Sequence, residues 1–149
     1  MQDIEDFKKS IGKKSRLLGI DPGKKRVGLA ISDEDKLVST PLKTIIKKNN
    51  SNLAKEIKEI IEENNIKGIV VGNPINMDGS KGPSAQSAND FAEYLSNNIS
   101  IPVTMWDERL SSEAAFNLSS NLDINTSKKV EKLDQNAASF ILQGAIDYI

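Results

Sequence analysis

The stretch Leu17–Ser32, LLGIDPGKKRVGLAIS, decides how this 149-residue chain begins to fold. Two apolar runs flank a turn made of Pro22, Gly23, Lys24, Lys25 and Arg26. Proline and glycine at the turn predict a hairpin, with one strand from Arg16 to Ile20 and a second from Val27 to Ser32. Side chains alternate along a strand, so Leu17, Gly19 and Asp21 share one face and Leu18 and Ile20 the other. Asp21 thus stands where the first strand ends, at the carboxyl edge, the usual place for a site in an α/β sheet. Gly28 lets the returning strand come close.

Outward from the hairpin, SDEDK reads as a turn and LVSTPLKTI as a third strand. Pro41 within that strand removes a ladder donor and predicts an edge position or a strand end. The rhythm then changes. Leu53, Ile57, Ile60 and Ile61 recur at helical spacing behind the polar NNS. IKGIVVG predicts a short buried strand, NPINMDGSKGPS a loop, AQSANDFAEYLSN a helix, IPVTMW a strand and SSEAAFNLSS a helix. A strong helix follows from Lys129 to Ile149. Strand–helix–strand order implies parallel crossovers. The expected architecture is α/β: an antiparallel β-meander feeding βαβ units, in a mixed five-stranded sheet with helices on both faces. Residues 1–15 are polar and predict an N-terminal extension, loose or with a short helix. Residues 16–149 form a single domain.

Composition narrows the chemistry. The chain has no histidine and no cysteine. That excludes Ser-His-Asp and Cys-His catalysis in their usual forms, a zinc site built on His or Cys, and a disulfide framework. A hydrolase with this composition works with carboxylates and a hard, oxygen-loving metal. The formal net charge is −1, so a polyanion would have to be held by a local patch. No apolar run reaches the ~18 residues of a membrane span. The charged N-terminus lacks the apolar core of a secretory signal, so the expected location is cytoplasmic.

Asp21 reads either as the cap of a turn or as a metal-binding carboxylate that needs partners. A phosphate-binding P-loop does not fit, because Gly19 to Gly23 encloses three residues rather than four and Lys25 stands where Ser or Thr is required. Two segments supply acids. PVTMWDERL ends a strand with Asp107 and Glu108, which alternation sends to opposite faces, so one of them meets Asp21. In the last helix Asp134, Ala138, Ile141 and Ala145 form one stripe, which puts Asp134 on the inward face. As a solvated acid it would merely suit the helix N-terminus. Asp78, in the long loop, is a weaker metal candidate. Acids converging on one sheet edge repel unless divalent cations neutralise them, which suits two Mg²⁺ or Mn²⁺ ions about 3.5–4 Å apart. Lys24, Lys25, Arg26 and Arg109 would then meet substrate phosphates, unless the three in the turn are simply solvated.

Four segments, GIDPGKKRVGLAIS, VVGNPINMDGSKGPSAQ, WDERLSS and LDQNAASFILQ, make the chain resemble the YqgF/RuvX family, described as pre-16S rRNA nucleases and as Holliday junction resolvases. The resemblance implies an RNase H-like fold and a metal-dependent nuclease acting on the 5′ end of small-subunit rRNA during ribosome maturation. It also implies that Asp21, Glu108 and Asp134 are the catalytic acids and metal ligands. Related RuvC-type resolvases carry a glutamate at the end of the fourth strand. Here that strand ends VVGNP, and the glutamate of WDERL takes its place. Ser84 stands where an arginine is common in the family, and the N-terminal extension is longer than usual.

Three other functions share parts of this pattern. A resolvase acting on branched DNA would use the same core. A sugar-kinase or chaperone-type ATPase opens with a similar GIDPG hairpin but needs two large lobes, for which the chain is too short. A non-catalytic ribosome-assembly module would leave the acids without work.

Overall fold

In the computed structural model, residues 1–74, 82–108 and 126–149 are described, with side chains of the last helix described from residue 136 onward. The hairpin read from the sequence is present as β1 (Arg16–Pro22) and β2 (Arg26–Ser32), and β3 (Ser39–Ile46) completes the meander. Two crossovers follow: α2 (Asn50–Asn64) leads to β4 (Ile66–Asn73), and α3 (Pro83–Asn98) leads to β5 (Val103–Asp107). The strand order is β3-β2-β1-β4-β5. The β1–β2 and β2–β3 pairs are antiparallel, and β1–β4 and β4–β5 are parallel. The mixed five-stranded sheet expected from the sequence is therefore the observed one. Pro41 lies on edge strand β3, opposite Ala30 and next to a register shift, a position where a proline is tolerated.

The sheet separates two apolar layers. On one face Leu18, Ile20, Leu29 and Ile69 pack with Leu53 and Ile57 of α2 and with Phe91 and Leu95 of α3. Helix α2 starts where Asn49 accepts the Asn52 N–H at 2.8 Å and ends at Asn65, whose φ of 54° is left-handed. On the other face Leu17, Ala30 and Val70 pack against Ala138, Ile141, Leu142 and Ala145 of a long helix, Thr126–Tyr148, which is α4 here. The stripe read from the sequence is thus the buried face of α4 from Ala138 onward.

Helix α4 comes so close because β1 carries Gly19 under it. A Cβ at Gly19 would lie 2.7 Å from Leu142 Cβ and 3.1 Å from the Ala138 carbonyl. Both are atoms that cannot swing aside. The end of α4 marks its direction, since Ile146 and Ile149 line a hollow with Gly12 and Lys36, near the start of β1. Helix α4 therefore runs antiparallel to β1, and its earlier turns lie toward the Asp21 end.

Residues 1–15 contribute a short helix, α1 (Ile4–Ser10), capped by the Asp3 side chain. It is tied down at both ends of its contact with the sheet. The Gln2 N–H donates to the Val103 carbonyl of edge strand β5 at 2.9 Å. Phe7 is fully buried in the α4-side layer, in room left by Gly68, where a Cβ would lie 2.8 Å from the Phe7 ring. Loss of a buried phenyl group costs ~3–5 kcal/mol. Phe7→Ala is expected to lose that amount in urea denaturation with little change in the denaturant slope, whereas a drop under 1 kcal/mol would mean that α1 is a peripheral appendage.

Candidate active site

Asp21 occupies the end of β1 on the α4 face, two residues beyond Gly19, and pairs in register with Gly28 of β2. Its neighbour in the parallel direction is β4, which ends at Asn73 opposite Asp107. Strand β5 stops at Asp107, and the chain turns at Glu108. Alternation along β5 puts Trp106 in the α4-side layer and Val103 in the other, so an inward residue just past the strand end can reach Asp21.

Glu108 is that residue. Its carboxyl hydrogen-bonds with Asp21, and it lies over Gly72, where a Cβ would stand 2.8 Å from Glu108 Oε1 and 2.6 Å from Ile141 Cδ1. The missing side chain at Gly72 is the space in which the glutamate sits. Burial, first, and then the Asp21 charge and hydrogen bond push the Glu108 carboxyl up to about 8, with a smaller contribution from Asp107. Near neutral pH the Asp21–Glu108 pair therefore retains one proton, shared in the hydrogen bond between the two carboxyl groups. The choice between Asp107 and Glu108, open in the sequence, falls to Glu108, and Asp107 acts on it through charge alone.

The pair suits a hard cation. Two carboxylates in contact, half-buried, are stable when a proton or a cation lies between them. Their four oxygens are the donors that Mg²⁺ and Mn²⁺ take, and proton displacement from Glu108 would expose all four. Among the described residues the acids gather as this pair, and no cluster of three forms. Asp134 lies in α4, four residues before Ala138, and its side chain falls outside the described residues. Arg109, Asp78 and the helix expected over SSEAAFNLSS lie outside them too, as does most of the NPINMDGSKGPS loop. Lys24, Lys25 and Arg26 are exposed on the β1–β2 turn, which Gly23 makes possible: a Cβ there would lie 2.2 Å from the Arg26 carbonyl oxygen. Ser84 is exposed in the first turn of α3. What the sequence reading missed is Gly72. Its signal was present, since Gly68 and Gly72 are four apart and so share one face of β4.

A family model described as "RuvX: Holliday junction resolvase" matches residues 15–148. A protein of Pelagibacter ubique named "Putative pre-16S rRNA nuclease" is 58% identical over 149 residues, covering all of this chain and 99% of that one. One of the same name from Gluconacetobacter diazotrophicus is 40% identical, covering 97% and 95%. Among solved structures, RuvC of T. thermophilus in complex with a Holliday junction substrate has a TM-score of 0.53 at 12% identity, covering 90% of this chain and 94% of that one. The yeast mitochondrial Holliday junction resolvase Ydc2 has a TM-score of 0.53 at 13% identity, covering 97% and 83%. The two structures share the fold with this chain.

Because folding raises the Glu108 carboxyl above its ordinary 4.5, the folded state holds a proton that the unfolded chain has lost. This contribution is complete below pH 4.5 and disappears as pH rises through about 8. In chelator the melting temperature is expected to fall between about pH 5 and pH 8.5. Glu108→Gln, which cannot ionise, is expected to flatten the profile, and an equally steep profile in that variant would place the titration elsewhere.

Proposed function

This chain belongs to the RuvX family, and on that premise we propose that it is a metal-dependent nuclease that hydrolyses phosphodiester bonds of pre-16S rRNA in 5′-end maturation. The observation that carries the reading is the Asp21–Glu108 pair at the carboxyl edge of the sheet. The names of its relatives in Pelagibacter and Gluconacetobacter support the rRNA substrate.

Asp21, Glu108 and Asp134 would hold Mg²⁺ or Mn²⁺. Support for Asp134 comes from the backbone: it lies one turn before Ala138, which touches Gly19, in the direction along α4 that leads toward Asp21. A bound divalent metal, one ion or two, would supply an activated water and neutralise charge on the leaving oxygen. Asp21 would supply one ligand from the central strand of the sheet, where its position is set by packing on both sides. Glu108 would hold the metal as a carboxylate, its proton released to solvent. Gly72 keeps the cradle open, and Ile141 closes one side of it against water. Lys24, Lys25, Arg26 and Arg109 would hold the phosphates on either side of the scissile one as point charges and, for the arginines, as forks.

The direct test sets a labelled rRNA precursor fragment beside a synthetic four-way DNA junction, with Mg²⁺ or Mn²⁺. RNA cleavage is expected, and Asp21→Asn is expected to lower it by at least about a hundredfold, the upper range for mutating groups that merely orient metal ligands. Symmetric cutting of the junction alone would move the function to branched DNA, as the family description has it. Cutting of neither would favour a binding module in ribosome assembly. Gly72→Ala separates the cradle from the ligands. Its new Cβ meets side-chain atoms of Glu108 and Ile141 and no backbone among its nearest neighbours, so the cost in stability is expected to stay under about 2 kcal/mol while cleavage falls at least about tenfold. Full activity in this variant would show that Glu108 works from another position.

A further inference from the structure

The β2–β3 hairpin carries a charge distribution that the carboxylate pair does not explain. The chain is nearly neutral overall, with a net charge of −1. Yet residues 22–32 and 36–55 hold eight lysines and arginines and no aspartate or glutamate. These two acid-free tracts contain β2 and β3, which pair with Arg26 opposite Ile46 and Val27 opposite Ile45. Just past the last pair, the Lys47 N–H donates to the Lys25 carbonyl at 2.8 Å. That bond holds Lys47 and Lys48 beside Lys24 and Lys25, on the same edge of the sheet as Asp21.

The side chains differ in how they are held. Lys24, Lys25 and Lys48 are exposed, whereas Lys47 is half-buried with its Nζ 5.9 Å from the centre of the Phe91 ring. Phe91 belongs to the α2/α3-side layer, so the Lys47 side chain crosses the strand ends to the face opposite Asp21. The acid-free region has a clear border. Glu56 and Glu59 of α2 line a cleft of about 310 Å³ with Lys48 and Lys55, below β3. A polyanion following the edge is therefore drawn along the acid-free strand ends more than onto the mixed-charge α2 surface.

We propose that Lys47 and Lys48 are nucleic-acid contacts that extend the basic turn across the end of β3, so that the substrate backbone leaves the Asp21–Glu108 pair over the strand ends of β2 and β3 toward the α2/α3 face. This deepens the nuclease reading and rests on it for which strand is cut, though not for binding itself. The span is the right size. From β1 to β3 is two strand spacings, about 10 Å, the axial rise of about three nucleotides. Lysine ammonium groups act there as point charges on phosphates, so the lane is indifferent to base sequence.

Binding of a fluorescent RNA duplex of about 20 base pairs, followed by anisotropy in chelator between about 50 and 200 mM KCl, tests the lane without cleavage. For Lys47→Gln/Lys48→Gln the slope of log affinity against log salt is expected to become shallower by about 1.8, two phosphate contacts' worth. Lys47→Arg/Lys48→Arg is expected to keep the wild-type slope. Lys8→Gln/Lys9→Gln, which removes the same charge from α1, is expected to keep it as well. In cleavage assays with metal, the Gln pair is expected to raise KM at unchanged kcat. An unchanged slope in the Gln pair, an equal loss in the Lys8/Lys9 pair, or no RNA binding by the wild type overturns the proposal. A slope that depends on Lys47 and Lys48 in a protein that cuts nothing would sink the nuclease reading and leave the lane standing.

Discussion

The contact between Asp21 and Glu108 is the constraint around which this structure is arranged. Two carboxyl groups touching in a half-buried place are an unfavourable starting point for a fold, and they require a proton or a cation between them. The rest of the molecule can be read as the means of keeping them there. β1 is the middle strand of five, packed on both faces, so the backbone carrying Asp21 has nowhere to go. Gly19 brings α4 down onto that strand, and Gly72 leaves the gap that Glu108 fills. A pair built this way costs stability whenever its proton is lost, and under the proposed function a cation would take the proton's place.

Three glycines on the α4 face do the spacing. Gly19 lies under α4, and on β4 Gly68 makes room for Phe7 and Gly72 for Glu108, with Val70 between them in the core. A strand that reads simply as apolar in sequence is in fact notched at both ends. One notch anchors α1 and the other holds the acid. The family model begins at residue 15, while the relative from Pelagibacter matches the whole chain. Helix α1 is thus an addition outside the family model that the sheet has room for, and Gln2 pairs it with the exposed edge of β5. Edge strands are prone to unwanted pairing, and a short segment laid along one end shields it.

The fold was legible because its signals were periodic. Alternation in LLGID put Asp21 on the α4 face, and the i, i+4, i+7, i+11 stripe from Asp134 picked out Ala138, Ile141 and Ala145, all buried as expected. Pro41 pointed to an edge position or a strand end, and β3 is an edge strand. The choice between Asp107 and Glu108 was not legible from alternation, which says only that they diverge. It depends on where β5 stops and on the gap at Gly72, both of which are tertiary facts. The resemblance to a family supplied Glu108 by motif, and the geometry supplies the reason. Phe7 escaped notice because α1 spans only seven residues, less than two full turns, too short for Ile4, Phe7 and Ile11 to stand out as a helical stripe in a charged segment. Lys47 and Lys48 escaped for a related reason: whole-chain charge averages away an acid-free hairpin.

Calorimetric titration of the metal-free protein with Mn²⁺ at about pH 7, repeated in two buffers of different ionisation enthalpy, measures the protons released per ion bound and so tests the carboxylate pair directly. With the Glu108 carboxyl near 8, binding is expected to release about one proton, and Glu108→Gln is expected to abolish that release. Binding that releases no proton, or release that survives in Glu108→Gln, would contradict the claim that Asp21 and Glu108 share a proton in the place where the cation binds.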